Sequence, residues 1–443
     1  MLNAQDYAGK DTMILQPERI DNLGPEQYKA IMERSRIDIL SIYDRVREIV
    51  YSVRDTGERV FFDYYKEKYK PDMVLADIEV KKTEIDDAYK KLDQKVIDAL
   101  KFATNNITKF HKAQLQRDIW MIDVADGILA GRMTVPIERV GAYIPGGKAI
   151  YPSSVLMTIL PARVAGVGEI IVCTPPNEDM TINPAILVAA DICGPERIFK
   201  VGGPWAIAAM AYGTDSIPRV DKVVGPGNKY VTAAKTLVFG EVGIDSPAGP
   251  SEGVIISDDT GDADLITIDL LSQAEHDPDS AVLLITTSEK LALKVSEIVN
   301  SSIEKLRRKD ILLSSLKKHS SILIAKDLEQ AVDFVNDYAP EHLQIITADP
   351  FFLLKKIRNA GSIFLGPYSP IPAGDYASGT NHVLPTARTA RVFSGLSVDD
   401  FIKKPTFQYV SKEGLSLLKD TVIALAEAEG LFLHAESIKA RFR

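Results

Sequence analysis

Residues 138–144 read ERVGAYI, a short apolar run that follows two charged residues. Runs of the same kind recur along the next part of the chain, separated by segments of helical length such as 153–167 and 184–193. Apolar strands that alternate with helices are typical of a parallel sheet covered on both faces. The further runs are EIIVCTP (169–175), RIFKVGG (197–203) and DKVVGPG (221–227).

A second series of apolar runs begins at residue 252. Ser288, Asp327 and Asp349 stand where its helices should open, because a short side-chain oxygen can accept a hydrogen bond from the first helical turn. The repeated order of strand, cap and helix predicts two similar α/β units, although no residue-level repeat is visible. The runs of this series are EGVIISD (252–258), AVLLITT (281–287), SILIAKD (321–327), LQIITAD (343–349) and SIFLGPY (362–368).

The segments before and after these two series have a different residue pattern. Residues 25–117 are charged and show a helical apolar stripe over 85–107, and a β-like passage follows. Residues 367–385 form a Pro/Gly-rich loop, and 412–443 return to a helical pattern. We therefore predict an α/β protein with two parallel-sheet Rossmann-like units, an N-terminal helical region and a C-terminal helical arm. The predicted divisions are 1–132, 133–250, 251–385 and 386–443.

Composition and charge exclude several classes of function. The chain has 443 residues, 52 Lys and Arg against 61 Asp and Glu, and a net charge of -9. A general phosphate-backbone binder needs a basic face, so we expect no nucleic-acid partner. No stretch is apolar enough to span a membrane, and residues 1–16 lack the apolar run of a signal peptide, which predicts a cytoplasmic protein. Cys173 and Cys193 are too few for a disulfide framework and are expected to be core thiols.

Glycine-rich loops follow three strands of the first series. In an open α/β sheet the ligand binds at the carboxyl ends of the strands. Glycine lets a backbone approach a phosphate closely, and the following helix terminus attracts its charge. None of the loops matches GxGxxG or GxxxxGK[ST], so a nucleotide ligand is only one interpretation of them.

Two polar residues at the end of a predicted helix could bind a metal ion. Gln273 and His276 are three apart, so their side chains leave a helix on one face. The alternative interpretation is a helix end with a histidine beside its dipole, and the pattern does not match HExxH. His111 and His319 are expected at the surface.

Two further pairs could carry chemistry. The long 367–385 loop presents Asp375 and His382, and long ordered loops are usually functional, although a solvated surface loop is the alternative. Glu341 and His342 are adjacent at the start of a strand, where alternation of side chains need not hold. Neighbouring groups of this kind suit stepwise acid–base work, and ordinary surface polarity is the competing explanation.

Together these residues resemble the histidinol dehydrogenase family, zinc-containing enzymes that end histidine biosynthesis. The matching stretches follow the family order, most clearly over residues 130–436. They are GAYIPGG with YPSSVLM, AYGTDSIPRVDKVVGPGNKYVTAAK, IDSPAGPSE, LLSQAEHD, YAPEHLQ, AGSIFLG with GDYASGTNHVLPT, and AEAEGLFLHAES.

The resemblance implies a role for each candidate residue. Glu341 and His342 match the acid–base pair, and Tyr143 and Asn228 match NAD contacts. The implied zinc ligands are Gln273, His276, Asp375 and His434, donors that suit zinc. The implied substrate-binding residues are Ser251, Gln273, His276, His342, Asp375, His382, Glu429 and His434.

The implied reaction oxidises the small molecule L-histidinol through its aldehyde to L-histidine with two NAD. The resemblance also implies a homodimer with shared active sites, in which the arm of one subunit completes the site of the other. One departure is Pro204-Trp205, where the family has Ala-Gln. An indole has one donor and no acceptor, so NAD geometry or NAD use could differ. The alternatives are a zinc/NAD dehydrogenase of the same family that acts on another small polar alcohol, and a non-catalytic binding module.

Overall fold

The computed structural model describes residues 14–34, 40–146, 150–247 and 249–443. Its amino-terminal part is mainly helical, as predicted, but it also contains a strand. The elements are β1 (Pro17–Arg19), α1 (Pro25–Glu33), α2 (Leu40–Thr56), α3 (Arg59–Lys68), α4 (Lys82–Lys91) and α5 (Gln94–Lys112).

The predicted apolar stripe over residues 85–107 is divided between two helices, so the expectation of a continuous stripe was wrong. Asp93 lies between α4 and α5, and its side chain caps α5 by accepting a hydrogen bond from the backbone of Lys95. Such a cap starts a new helix axis. Val96 is consequently exposed, whereas Ile107 is fully buried.

The β-like passage after these helices forms an antiparallel hairpin of β2 (Ile119–Ala125) and β3 (Ile128–Met133). Gly127 makes the turn with a φ of +72°, a conformation that favours glycine. Every residue of β2 is exposed, so both of its faces are uncovered in the single chain. The short β4 (Val135–Pro136) follows.

The first parallel sheet contains five strands in the order β7-β6-β5-β8-β9. From central β5 the chain adds β6 and β7 on one side and then returns to place β8 on the other side. The crevice between the carboxyl ends of β5 and β8 is therefore the topological switch point, where such sheets bind ligands. The elements are β5 (Arg139–Tyr143), α6 (Pro152–Ala165), β6 (Glu169–Cys173), α7 (Pro184–Cys193), β7 (Arg197–Phe199), α8 (Gly203–Tyr212), β8 (Lys222–Val224), α9 (Lys229–Val238) and β9 (Gly243–Ile244).

The second parallel sheet has the order β1-β12-β11-β10-β13-β14. Apart from β1, this is the strand order of the first sheet, which confirms the predicted pair of similar units. Ser288, Asp327 and Asp349 cap helices through their side chains, as predicted. The elements are β10 (Glu252–Ser257), α10 (Ala263–Ala274), β11 (Ala281–Thr286), α11 (Glu289–Ser302), α12 (Lys309–His319), β12 (Ser321–Ile324), α13 (Leu328–Tyr338), β13 (His342–Ile346), α14 (Pro350–Leu354) and β14 (Ser362–Leu365).

The carboxyl-terminal part begins with a helix inside the predicted loop of 367–385. Pro372 lies in the first turn of this helix, where the fixed φ of proline is suitable and its missing N–H is not needed. After a long loop, β15 pairs with β4 and β16 with β3, so the arm joins the hairpin. The elements are α15 (Ile371–Tyr376), β15 (Ile402–Lys403), β16 (Thr406–Val410), α16 (Lys412–Ala428) and α17 (Phe432–Lys439).

Apolar side chains cover both faces of each parallel sheet, as the continuous runs predicted. On the first sheet Ile170 belongs to one buried cluster and Ile171 to another. On the second sheet Ile255 and Val254 likewise belong to two different buried clusters. The cysteines Cys173 and Cys193 are free and buried in this core. In the described part of the chain, no helix has the length and apolarity that crossing a bilayer requires.

Candidate active site

Glu341 and His342 lie at the amino edge of the second sheet, where β13 begins. Both are buried, with 6% and 4% of their surfaces exposed. Ala339 has a left-handed φ of 51° and is followed by Pro340, so the chain enters the strand through a tight turn. Glu341 Oε2 lies 3.5 Å from His342 Nδ1, which confirms that these neighbours need not point to opposite faces.

The imidazole of His342 is held from both sides. Nδ1 donates to the carbonyl oxygen of Glu252 at 3.1 Å, and Nε2 lies 3.3 Å from Asp375 Oδ1. Burial lowers the pKa of His342, but Glu341 and Asp375 raise this pKa more strongly, and it lies well above its ordinary value. The two carboxylates therefore stabilise the imidazolium that forms when His342 accepts a proton.

Asp375 and His382 meet beside this pair. Asp375 belongs to α15, and its carbonyl accepts a hydrogen bond from His382 Nδ1 at 2.8 Å. Burial raises the pKa of Asp375, but the hydrogen bond and charge of His342, together with His382 and His276, bring this pKa below its usual range. Burial lowers the pKa of His382. His382 Nε2 lies 3.2 Å from Ser154 Oγ at the start of α6.

The contact between Ser154 and His382 relates the two sheets to each other. Helix α6 begins at the carboxyl edge of the first sheet, whereas Glu341 and His342 lie at the amino edge of the second sheet. The candidate site therefore lies where these two edges meet. In the second sheet it is on the edge opposite to the one where ligands usually bind.

Gln273 reaches the same place from the end of α10. A helix that follows a strand in a parallel sheet runs back toward the edge where the strands begin, so the last turn of α10 lies at the amino edge. Gln273 is only 2% exposed, and neither its Oε1 nor its Nε2 has a hydrogen-bond partner among the described residues. Gly253 makes room for it, because a Cβ on Gly253 would lie 2.9 Å from Gln273 Cγ. A buried amide without partners indicates a ligand that is not part of the chain.

His276 is exposed and lies beyond Ala274, the last residue of α10. The prediction that Gln273 and His276 lie on one face of the same helix therefore does not hold for His276. It is nevertheless close enough to Asp375 for its charge to lower the pKa of that carboxyl. Ser251 is half-buried and immediately precedes β10. Gln273, His276 and Asp375 thus all come from the second unit, and His276 lies near Asp375.

Glu429 and His434 lie on the arm. Both are exposed, Glu429 at the end of α16 and His434 in α17. The main contacts of α16 and α17 are with each other and with β16. Within the described residues of one chain, no three His, Cys, Asp or Glu side chains form a group that could hold a metal ion. One subunit therefore does not bring the four predicted zinc ligands together.

Tyr143 and Asn228 lie at the carboxyl ends of β5 and β8, on the two sides of the topological switch point. Tyr143 is buried, its hydroxyl accepts a hydrogen bond from Gly203 N at 3.1 Å, and burial raises its pKa to about 12. Asn228 is exposed, and its side-chain oxygen caps α9. Gly225 has a φ of +120°, and a Cβ there would lie 2.1 Å from Tyr143 O. Only glycine allows the two strand ends to approach so closely.

Trp205 packs beside this edge against helix α3. Its ring centroid lies 4.7 Å from that of Tyr64 and 6.0 Å from that of Tyr65. With Tyr69 these rings line a cavity of about 210 Å³, and the other lining residues include Ile49, Pro175 and Pro176. The indole Nε1 is buried without a hydrogen-bond partner among the described residues.

Several residues around the site were not predicted from the sequence. They are Ser154, which contacts His382, and Glu252, which contacts His342 and pairs with Arg34. Glu252 appeared only as the charged start of an apolar run. His111 was expected at the surface, which is wrong, because it is fully buried, with Nδ1 2.8 Å from Ile107 O. Its other nitrogen lies 3.5 Å from the amide of Asn381, next to His382.

The chain is similar to known proteins over nearly its whole length. A family model described as histidinol dehydrogenase matches residues 32–442. Histidinol dehydrogenase from Methanothermobacter thermautotrophicus is 50% identical over 93% of this chain and 96% of its own length. The protein of the same name from Methanocaldococcus jannaschii is 48% identical over 96% of this chain and 98% of its own length.

A solved structure provides an independent comparison of the fold. The crystal structure of histidinol dehydrogenase from Elizabethkingia anophelis has a TM-score of 0.91 and 40% sequence identity to this chain. It covers 97% of this chain and 98% of its own. The chain therefore belongs to the histidinol dehydrogenase family.

Proposed function

We propose that this chain is an NAD-dependent oxidoreductase that oxidises L-histidinol through L-histidinal to L-histidine, the last step of histidine biosynthesis. The observation that carries the proposal is the buried pair Glu341 and His342 beside Asp375, together with the amide of Gln273, which has no hydrogen-bond partner among the described residues. Family membership supports the reaction.

Gln273, His276 and Asp375 would hold a zinc ion together with His434 of a second subunit. The buried amide of Gln273 fits this role, because its oxygen has no other partner among the described residues. Amide and carboxylate oxygens and imidazole nitrogens are suitable donors for zinc. When bound, the ion would supply orientation of the imidazole and amine of the substrate without changing its redox state.

His342 would accept the hydroxyl proton of histidinol at Nε2. This assignment is supported by the hydrogen bond from Nδ1 to the Glu252 carbonyl, because a neutral imidazole that donates at Nδ1 has its lone pair at Nε2. Glu341 would then activate the water that attacks the aldehyde. Its Oε2 accepts a hydrogen bond from Glu252 N at 2.8 Å, which orients the carboxylate.

Tyr143 and Asn228 would contact NAD at the carboxyl edge of the first sheet. Their position at the topological switch point supports this, since dinucleotides bind in that crevice. NAD supplies the hydride acceptor for both oxidation steps. The Ser154–His382 contact links this edge to the proton-transfer pair, so the proposed NAD site and that pair would adjoin. One site would then serve both oxidation steps without releasing the aldehyde.

Ser251, His382 and Glu429 would complete the substrate contacts, together with the proposed zinc ligands and His342. Histidinol carries a cationic amine and an imidazole, which a carboxylate and an imidazole can recognise. The arm supplies Glu429 as well as His434. Both would have to come from a second subunit, because neither joins the site within one chain.

A homodimer with shared active sites is supported by the apolar surface of the arm and hairpin. Leu433 is 83% exposed and Phe432 66%, and the neighbouring β2 is exposed along its whole length. Monomeric proteins rarely leave such contiguous apolar patches in water. We also propose that the four predicted segments, 1–132, 133–250, 251–385 and 386–443, are the structural units of each chain. We propose that the protein is cytoplasmic.

The test measures the product yield from limiting L-histidinol with excess NAD and zinc. We expect two NADH and one L-histidine per histidinol, and no aldehyde captured by a hydrazine trap. A panel of small polar alcohols and diols serves as the comparison. Turnover of another alcohol without turnover of histidinol would favour a related dehydrogenase of different substrate, and no turnover of any alcohol would favour a binding module.

Trp205 allows NAD binding to be measured separately. In a Trp120→Phe variant Trp205 is the only tryptophan. Trp205 and Gly203 line the same cavity, and Gly203 N donates to the hydroxyl of Tyr143. We therefore expect the fluorescence of Trp205 to decrease on titration with NAD. Calorimetry with zinc and histidinol present provides the control, and an absence of binding at millimolar NAD would contradict the cofactor proposal.

A further inference from the structure

Arg34 is buried at the end of α1 and pairs with Glu252. Both side chains are 1% exposed. Arg34 Nε donates to Glu252 Oε1 at 2.7 Å, and Nη2 donates to Oε2 at 2.5 Å. A bidentate pair of this kind fixes the orientation of the carboxylate as well as its charge.

The same guanidinium also holds the turn that leads into the acid–base pair. Nη1 donates to the carbonyl oxygen of Tyr338 at 2.9 Å, and the guanidinium stacks 3.6 Å above the ring of Tyr338. Tyr338 is the last residue of α13, and Ala339 and Pro340 connect it to Glu341. Arg34 therefore fixes the backbone just before Glu341.

Glu252 is the link from Arg34 to both reactive side chains. Its N–H donates to Glu341 Oε2 at 2.8 Å, and its carbonyl accepts from His342 Nδ1 at 3.1 Å. Its carboxylate also accepts from Ala387 N at 2.8 Å. One peptide unit thus sets the direction of the Glu341 carboxylate and the tautomer of His342.

The burial of Glu252 makes Arg34 necessary for this arrangement. The carboxylate of Glu252 is near that of Glu341, and burial raises its pKa while Arg34 lowers it. Removing one member of a buried ion pair leaves an uncompensated charge, which the surrounding structure must move to accommodate. The groups that would move with Glu252 are the ones that orient Glu341 and His342.

We propose that Arg34 and Glu252 are positioning residues for proton transfer. Arg34 acts through Glu252, whose peptide unit orients Glu341 and His342. The inference rests on the proposed function of that pair. None of the family roles described above includes Arg34 or Glu252.

The test compares Arg34→Lys and Glu252→Gln with a matched control, Arg391→Lys. Arg391 also contacts the end of α13, through the carbonyl and carboxylate of Asp337, but it is partly exposed and does not contact Glu252. We expect kcat for histidinol to fall about 10- to 100-fold in the Arg34 and Glu252 variants. KM and zinc content should change little at a temperature where the variants are folded, although loss of the buried pair lowers the melting temperature. The control should resemble wild type.

The split between kcat and KM distinguishes positioning from a purely structural role. Kinetic constants within twofold of wild type in both variants would overturn the inference, as would a loss explained by unfolding or lost zinc. If Arg34→Lys does not fold, Glu252→Gln decides, since it keeps the peptide unit and the size of the side chain. If wild type itself does not oxidise histidinol, the proposed function fails instead.

Discussion

Gln273 shows how one residue can indicate an absent ligand. A buried amide with no hydrogen bond is unfavourable, and Gly253 provides the space that brings it to the site. The sequence indicated Gln273 as a candidate through its spacing from His276. It did not show that the amide is buried without a partner in the described part of the chain, because that depends on how α10 packs against β10.

Removing zinc ligands should separate metal binding from proton transfer. We expect His276→Ala and Asp375→Ala to lower the zinc content of purified protein, measured by atomic emission. His342→Asn should keep zinc but lower kcat about 10²- to 10⁴-fold, the usual contribution of a general base. His319→Ala, outside the site, is the control. Full zinc occupancy in both ligand variants would contradict the assignment.

His111 should make the protein less stable in mild acid. Burial lowers its pKa below the ordinary value of 6.5, so the folded protein resists a proton that the unfolded chain accepts. Stability is therefore retained above about pH 6.5 and lost as the pH falls below it, by at most about 1.4 kcal/mol per pH unit.

The measurement for His111 is urea unfolding between pH 7.5 and 5. We expect His111→Asn to have a smaller loss of unfolding free energy over this range than wild type, even if its stability at pH 7.5 is lower. His319→Asn, a half-exposed histidine on α12, is the control. Parallel curves for wild type and His111→Asn would show that burial of His111 has no such effect.

Among the elements, strands and caps were the most predictable. Continuous apolar runs found the main strands of both sheets, since a strand covered on both faces has no other pattern. Boundaries were less predictable: Asp93 divides α4 from α5, and Pro372 lies in the first turn of α15, inside an expected loop. In both places one residue with a local backbone effect outweighed the average composition of the segment.

The pairing of distant elements could not be predicted. Arg34 and Glu252 are 218 residues apart, and β1 joins the edge of the second sheet beside β12. No local sequence pattern predicts the Arg34–Glu252 pair or the pairing of β1 with β12. A lone arginine after a helix and a three-residue strand are both too common to be informative. The position of the site at the amino edge of the second sheet also depends on how the two units pack.

Changes on α17 should weaken the dimer if the arm packs on a second subunit. Leu433 is 83% exposed in the single chain, so Leu433→Asp should place a charge in the interface. We expect ultracentrifugation to show about twice 48.7 kDa for wild type and a shift toward monomer for the variant. Leu293→Asp, a similar change on α11, should remain dimeric. A monomeric wild type or an unaffected Leu433→Asp would contradict this role.

At the scale of the whole molecule, two units with the same strand order meet where the strands of the first sheet end and those of the second begin. The carboxyl edge of the first sheet presents Tyr143 and Asn228, and the amino edge of the second presents Glu341 and His342. The fold class was predictable from the alternation of apolar runs with segments of helical length. The roles of individual residues came from the family resemblance, since spacing by itself left each motif open to a structural explanation.

The arm is the part of the molecule that a single chain leaves unexplained. It carries Glu429 and His434 on exposed helices, while the rest of the proposed zinc site is on the second unit. A site shared between subunits makes a specific prediction. In a mixed dimer of two different inactive variants, both changes fall in one site and the other site is intact.

Subunit mixing of His342→Asn with His434→Ala tests this most directly. Each variant alone should be nearly inactive for histidinol oxidation. After dissociation and reassembly at equal concentrations, about a quarter of wild-type activity should return, because half of the dimers are mixed and each has one intact site. If reassembled dimers form but activity stays at the level of the single variants, the site is contained in one chain and the shared site is wrong.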